Sequence, residues 1–301
     1  MKFLKKIIKL IVTPLQIFVY KTTIKFIRNK PSNAKKYYSA VCAIFKDEGV
    51  YLKEWVEYYK LIGINHIYMY NNFSSDNYNE ILLPYINTNF VTLIDWPVEQ
   101  GQVSCYQHCV KNFRSECQWI GFLDIDEFFV SKNHNPINDE LKNFEKYPSV
   151  VFNWKTFGTS GITERNIKEP VIKSFTKCTA DYYWGKYFYN TKYEINYSYK
   201  KNILPVHSVW IKIGLFYLPP INCNYKFYFS ITIDKLNQSK NLDCWINHYY
   251  TKSKNEFQKR IEKTDVAYKK NNKTMKDIEK VDNQCITQDD TIQYYLSFLK
   301  Y

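Results

Sequence analysis

Glycine and proline are scarce in this sequence, at 8 and 10 of 301 residues. Set beside abundant aromatics, that scarcity excludes collagen-like, low-complexity and broadly disordered chains. Cysteine is sparse as well: 8 residues fall short of a disulfide scaffold, and no C-x-x-C pair of the zinc or thioredoxin-like kind occurs. Cys105 and Cys109 can share a helix face, but no partner pair follows at ligand spacing, so buried free thiols and a reducing compartment are expected. The apolar run from Ile7 to Tyr20 is broken by Lys9, Thr13, Pro14 and Gln16 and falls short of the roughly 20 residues that span a bilayer. No small-residue cleavage site follows it, and residues 1–30 contain no acid at all.

What the chain does have is aromatic side chains, with Tyr 28, Phe 20 and Trp 7, and a net charge of +13. A basic excess of that size predicts an anionic partner: nucleic acid, an anionic membrane surface or a phosphorylated substrate. The acid-free start reads as an amphipathic helix lying on an anionic membrane, followed by a linker to residue 36.

From residue 37 strand and helix alternate. Apolar runs at Val41–Phe45, His66–Tyr70, Val91–Ile94 and Trp119–Leu123 read as strands. Segments Tyr51–Leu61, Tyr78–Tyr85 (ending near Pro84) and Gln102–Phe113 read as helices. That rhythm predicts an α/β fold: an open, mostly parallel, Rossmann-like sheet with helices on both faces and ligands beyond the carboxyl ends of the strands. Beyond Phe129 the pattern loosens into aromatic, Asn-rich strands such as Ser149–Trp154 and Tyr225–Ile233. The expected organisation is a membrane-associating segment over 1–36, an α/β domain over 37–260 divided near residue 130 into a nucleotide-binding half and an acceptor-side half, and a helical tail over 261–301.

The fourth strand runs straight into Asp124-Ile125-Asp126-Glu127. If the backbone is still extended there, Asp124 and Asp126 share one face. Two hard oxygen ligands on a face suit Mg²⁺ or Mn²⁺ with positions left open for diphosphate oxygens. Glu127 would then tune the pair by hydrogen bonding. Trp154 with the Phe157-Gly158-Thr-Ser-Gly161 turn pairs aromatic faces with a tight turn, a combination suited to stacking a sugar ring.

Several ordered segments carry a resemblance. Cys42-Ala-Ile-Phe-Lys-Asp-Glu48 with Tyr51-Leu52 and Glu54-Trp55, then Tyr70-Asn-Asn72 with Ser75-Asp76-Asn77, then Trp119 through Phe128, Trp154 with Phe157-Gly158, and Asn247-His248-Tyr249 with Lys252-Ser253 resemble glycosyltransferase family 92. The resemblance implies a GT-A fold and a hexosyltransferase-type enzyme that uses a nucleotide-diphosphate sugar, a UDP-sugar foremost, with inversion. It implies that Asp124 and Asp126 hold Mn²⁺ or Mg²⁺ and the donor diphosphate, and that Lys46, Asp47, Glu48, Asn72 and Asp76 contact the donor. By analogy with other GT-A enzymes, His248, with His207 as its rival, completes the metal shell and Lys252 meets the diphosphate. Trp154, Phe157 and Gly158 are the expected acceptor contacts. Inversion needs a general base, for which Glu164 and Asp243 are the candidates. The acceptor would be a glycan or glycolipid, such as a bacterial surface polysaccharide, capsule or lipooligosaccharide, built at the cytoplasmic face of an inner membrane. Two readings compete: a metal-dependent phosphotransferase or nuclease on the same carboxylates, and a non-enzymatic basic module that binds membrane or nucleic acid.

Overall fold

The structure, a computed structural model, describes residues 34–193, 206–207, 209, 211–213, 216–227, 241–262, 266 and 273–300, with Phe18, Lys21 and Thr22 besides. The amphipathic start and most of the Tyr225–Ile233 segment therefore lie outside the described residues.

The first half follows the expected alternation: β1 (Tyr37–Phe45), α1 (Gly49–Leu61), β2 (His66–Asn71), α2 (Tyr78–Asn87), β3 (Val91–Asp95), α3 (Gln102–Phe113) and β4 (Cys117–Phe122). Next come β5 (Glu127–Ser131), α4 (Ile137–Lys142), β6 (Ser149–Thr156), α5 (Val171–Ser174), β7 (Lys177–Cys178) and β8 (Tyr183–Asn190). Short strands β9 (Ile211–Ile213), β10 (Phe216–Leu218) and β11 (Ile221–Asn222) precede β12 (Cys244–His248). The chain closes with α6 (Lys254–Glu262), α7 (Met275–Asp282), β13 (Thr287–Gln288) and a 3₁₀ turn over Thr291–Ser297.

The central sheet has the order β3-β2-β1-β4-β8-β6-β12-β5, with β11 added beside β6. Strands β1 to β4 pair in parallel, whereas β8 is antiparallel to both β4 and β6, and β5 is antiparallel to β12. The side-chain period of two divides the core of β1. Val41, Ala43 and Phe45 pack with Leu52, Trp55 and Val56 of α1, and Ala40, Cys42 and Ile44 pack with Cys105, Tyr106 and Cys109 of α3. Helices thus cover both faces, as the GT-A expectation requires. The order reverses between β1 and β4, the switch point beside which open α/β sheets hold their ligands.

Two expectations change. Pro84 does not stop α2 but sits inside it, with its face open to solvent. An interior proline costs about 3 kcal/mol, which burial of Leu82 and Tyr85 on the opposite face offsets. The tail is not helical throughout: β13 pairs with β7, and Ile278, Ile292 and Tyr295 are buried. All eight cysteines are free and buried, and no described helix is long and apolar enough to cross a membrane.

Candidate active site

The carboxylates arrive on a turn rather than on an extended strand. β4 ends at Phe122, and the Glu127 amide donates to the Asp124 carbonyl (3.1 Å), closing a tight reversal before β5 begins. The Glu127 carboxylate closes it from the other side, its Oε2 accepting from the Asp124 amide at 2.9 Å. Helix α1 anchors the same turn: Trp55 Nε1 donates to the carbonyls of Asp124 (3.1 Å) and Glu127 (3.0 Å), and the Tyr59 hydroxyl to Glu127 (3.0 Å). Tyr249, just past β12, donates its amide to the Asp126 carbonyl. The expected alternation is therefore overturned, because a turn sends Asp124 and Asp126 to different partners.

Both carboxylate oxygens of Asp124 have protein partners. Gln102 Nε2 (2.9 Å) and the Tyr106 hydroxyl (3.4 Å) reach Oδ1, and Lys186 Nζ reaches Oδ2 at 2.9 Å. Asp126 is 3% exposed. Its Oδ2 accepts from Arg260 Nη1 at 2.9 Å and faces Lys252 Nζ at 3.9 Å, while Oδ1 lies 3.7 Å from His248 Nε2. Burial opposes its ionisation, yet Arg260, His248 and Lys252 hold its carboxyl well below the usual range. Burial lowers His248 to about 4, so the imidazole is neutral. Burial also pushes Glu127 well up against the pull of Lys186, and Glu127 Oε1 has no partner among the described residues.

Ligand atoms of Asp126, Glu127 and His248 lie within 4.8 Å of one another. This set has Glu127 where the sequence placed Asp124. Asp126 and His248 open on a crevice of about 1140 Å³ at the β1/β4 switch point, whereas Glu127 is fully buried behind its lining. Lys46, Asp47, Glu48, Asp76, Asp124, Trp154, His207, His248 and Lys252 all line that crevice, as do Arg260 and Lys273. Asp47 and Lys252 hold left-handed backbone conformations, φ 50° and 52°, of the kind found at binding sites. Asp47 ties two loops together by accepting from the Ser75 amide, and Asp76 accepts from the Gly49 amide at the start of α1. Burial pushes Glu48 up to about 7.

Other expected residues are not brought there. Asn72 is turned away and donates to the carbonyls of Trp96 and Val98. Phe157 is fully buried against Tyr249, and a Cβ on Gly158 would meet Asp282 at 2.3 Å, so neither can face a sugar. Glu164 is exposed on an adjoining pocket of about 310 Å³. Asp243 precedes β12 at the end opposite His248, about 16 Å away at strand rise. His207 lines the crevice with its Nδ1 against the Gly185 carbonyl (3.2 Å), outside the ligand set. Sequence reasoning missed Lys186 and Arg260. A lone lysine inside Tyr183-Trp-Gly-Lys-Tyr-Phe-Tyr189 was the available signal, since a cation in an apolar strand needs a buried counter-charge.

The family model for glycosyltransferase family 92 matches residues 35–288. The chain belongs to glycosyltransferase family 92. The match runs past residue 260, so the family's pattern includes α7 and β13 as well as the sheet. A family 92 protein from rice (Oryza sativa subsp. japonica) is 31% identical over 140 residues, covering 45% of this chain and 24% of its own. One from Ricinus communis is 31% identical over 146 residues, covering 44% and 25%. The chain thus spans about a quarter of the length of these curated relatives. Among solved structures, residues 1–349 of S. aureus TarS in complex with UDP align at a TM-score of 0.36 and 14% identity, over 51% of this family 92 chain and 47% of that one. The mannosyltransferase PcManGT from Pyrobaculum calidifontis, with GDP-Man and Mn²⁺, aligns at 0.31 and 14%, over 48% and 46%.

Proposed function

We propose that this chain moves a glycosyl unit from a nucleoside diphosphate sugar, a UDP-sugar foremost, to a hydroxyl of a glycan or glycolipid acceptor such as a surface polysaccharide, with inversion. One observation carries the reading: Asp126 and the neutral His248 line the switch-point crevice with the buried Glu127 within ligand distance of both, and Arg260 and Lys252 meet the Asp126 carboxylate. This donor set fits a divalent cation. Asp126 Oδ1 and His248 Nε2 stand too far apart to hydrogen-bond but close enough to share one ion, and the orphaned Glu127 Oε1 offers another ligand. Asp126, Glu127 and His248 would hold Mn²⁺ or Mg²⁺, which when bound supplies a Lewis acid for charge developing on the leaving diphosphate.

The chain's own cations supply the complementary part. Lys252 and Arg260 meet Asp126 from the crevice side and can turn toward an incoming diphosphate, Arg260 as a planar fork and Lys252 as a point charge. Lys46, Asp47, Glu48 and Asp76 sit on the loops after β1 and β2, where the nucleoside would lie. Glu164 and Asp243, the two candidates for the general base, lie outside the crevice. The acid-free sequence of residues 1–30 supports a place on an anionic membrane surface, at the cytoplasmic face of an inner membrane.

Calorimetry with UDP and GDP, with and without Mn²⁺, tests the reading. At least one nucleotide is expected to bind and Mn²⁺ to tighten it, and Asp126→Asn is expected to remove the Mn²⁺ effect with the far-UV spectrum unchanged. Absence of nucleotide binding in every arm refutes it.

A further inference from the structure

Strand β8 carries an irregularity beside the crevice that the proposed reaction does not use. The β6–β8 register passes from Phe152 opposite Lys186 to Trp154 opposite Tyr183, so β8 holds one residue more than its partner across that step. The extra length falls at Trp184-Gly185, where φ is +23° and +152°. Trp184 is strained there, because a bulky side chain with positive φ is an outlier. Gly185 is obligatory, because a Cβ would lie 2.3 Å from the Phe152 carbonyl oxygen. Two side chains pin the bulge: Asn153 Nδ2 donates to the Trp184 carbonyl (2.8 Å) and His207 meets the Gly185 carbonyl (3.2 Å).

This strain turns one indole outward. Trp184 is 45% exposed and stands edge-on to His207 at 5.1 Å. Trp154 also stands edge-on to this imidazole, at 5.1 Å, and in turn lies 4.4 Å from His248. His248, Trp154, His207 and Trp184 form one continuous series of ring contacts from beside Asp126 to an exposed indole, with the two indoles at most about 10 Å apart. Trp154 Nε1 is a buried donor with no acceptor among the described residues.

We propose that Trp184, held by this bulge, is the stacking platform of the acceptor subsite, taking the apolar C–H face of a neutral pyranose. The inference rests on the glycosyltransferase reading of the crevice. Its direction follows from position: the inner end of the series meets the residues assigned to the diphosphate, so a saccharide on the outer end is the one that approaches from solvent. An aromatic face suits a pyranose because one face of the ring presents only C–H groups, while its hydroxyls stay solvated at the rim.

The test uses the full chain and a panel of methyl pyranosides of glucose, galactose, mannose and N-acetylglucosamine, with saturation-transfer NMR for the glycoside and calorimetry for UDP and GDP. Wild type is expected to bind at least one glycoside. Trp184→Ala should weaken it roughly 2- to 12-fold, with nucleotide affinity unchanged, and Trp184→Phe should restore most of the loss. Equal glycoside binding by wild type and Trp184→Ala overturns the proposal, as does a wild type that binds nucleotide but no glycoside. Loss of nucleotide binding in Trp184→Ala also overturns it, by showing a structural role. Failure of wild type to bind UDP and GDP alike overturns the reading of the crevice and this proposal with it.

Discussion

Lys186 illustrates how much one buried cation decides. Its ammonium is fully buried, 2.9 Å from Asp124 and 3.9 Å from Glu127. Burial disfavours its charge, yet the two acids more than compensate and raise its proton affinity. Removing one member of a buried pair strands the other, a cost of about 3–5 kcal/mol. Lys186→Met should therefore lower the unfolding free energy by about 3 kcal/mol, discounted somewhat because the Asp124 side chain is one-third exposed. Adding Asp124→Asn should recover part of that loss, and urea unfolding of the single and double variants measures the coupling. If the double variant is no more stable than Lys186→Met, the pair is not coupled in this way.

At the scale of the element, His66 gives β2 a pH-dependent hold on β3. Its Nδ1–H donates to the Asn89 carbonyl and its Nε2 accepts from the Thr92 hydroxyl, so the neutral ring satisfies both contacts. Burial lowers its pKa from 6.5 to about 4. A folded-state value below the unfolded one contributes stability that is complete above about 6.5 and is lost as pH falls through about 4. The unfolding free energy should fall over that window, by at most about 3 kcal/mol from this ring before solvent screening reduces it, and the thermal midpoint with it; His66→Gln should flatten the slope, and an unchanged slope refutes the assignment. The alternation of β1 to β4 with their helices was legible in the sequence because apolar periodicity survives wherever a strand is covered on both faces. The Asp124–Glu127 turn was not, because its geometry is set in large part by Trp55 and Tyr59 of the distant helix α1. Arg260 was equally invisible, since a helix-borne arginine finds its carboxylate only once β12 and α6 are docked. The β8 bulge hid for a related reason: Gly185 reads as a weak strand residue until Phe152 is seen to lie against it. Gly185→Ala should lower the melting temperature by several degrees, as about 1–3 kcal/mol of strain is added, and scanning calorimetry reads it.

Over the whole molecule, the segment from residue 273 to 300 closes against β6, β7 and α1. Asp282 accepts from the Thr159 amide (2.7 Å) and hydroxyl (2.6 Å), Asp289 pairs with Lys155, and Tyr295 packs edge-on against Tyr58 of α1. Truncation after residue 272 should leave half-buried Lys155 and buried Tyr58 without these partners and abolish cooperative unfolding. Denaturant melts followed by fluorescence and far-UV signals check this, and coincident, sharp transitions in the truncated chain would contradict it.

The burial of every thiol supplies an internal clock. Iodoacetamide reaches a sulfur only when its surroundings part, and high thiol pKa values slow attack further at neutral pH. Cys42, Cys105 and Cys109 sit between β1 and α3, whereas Cys178 and Cys285 lie where β7 meets the closing segment. Alkylation resolved by peptide mass would time two separate openings in one native protein, the sheet core and the C-terminal clasp, without an added probe.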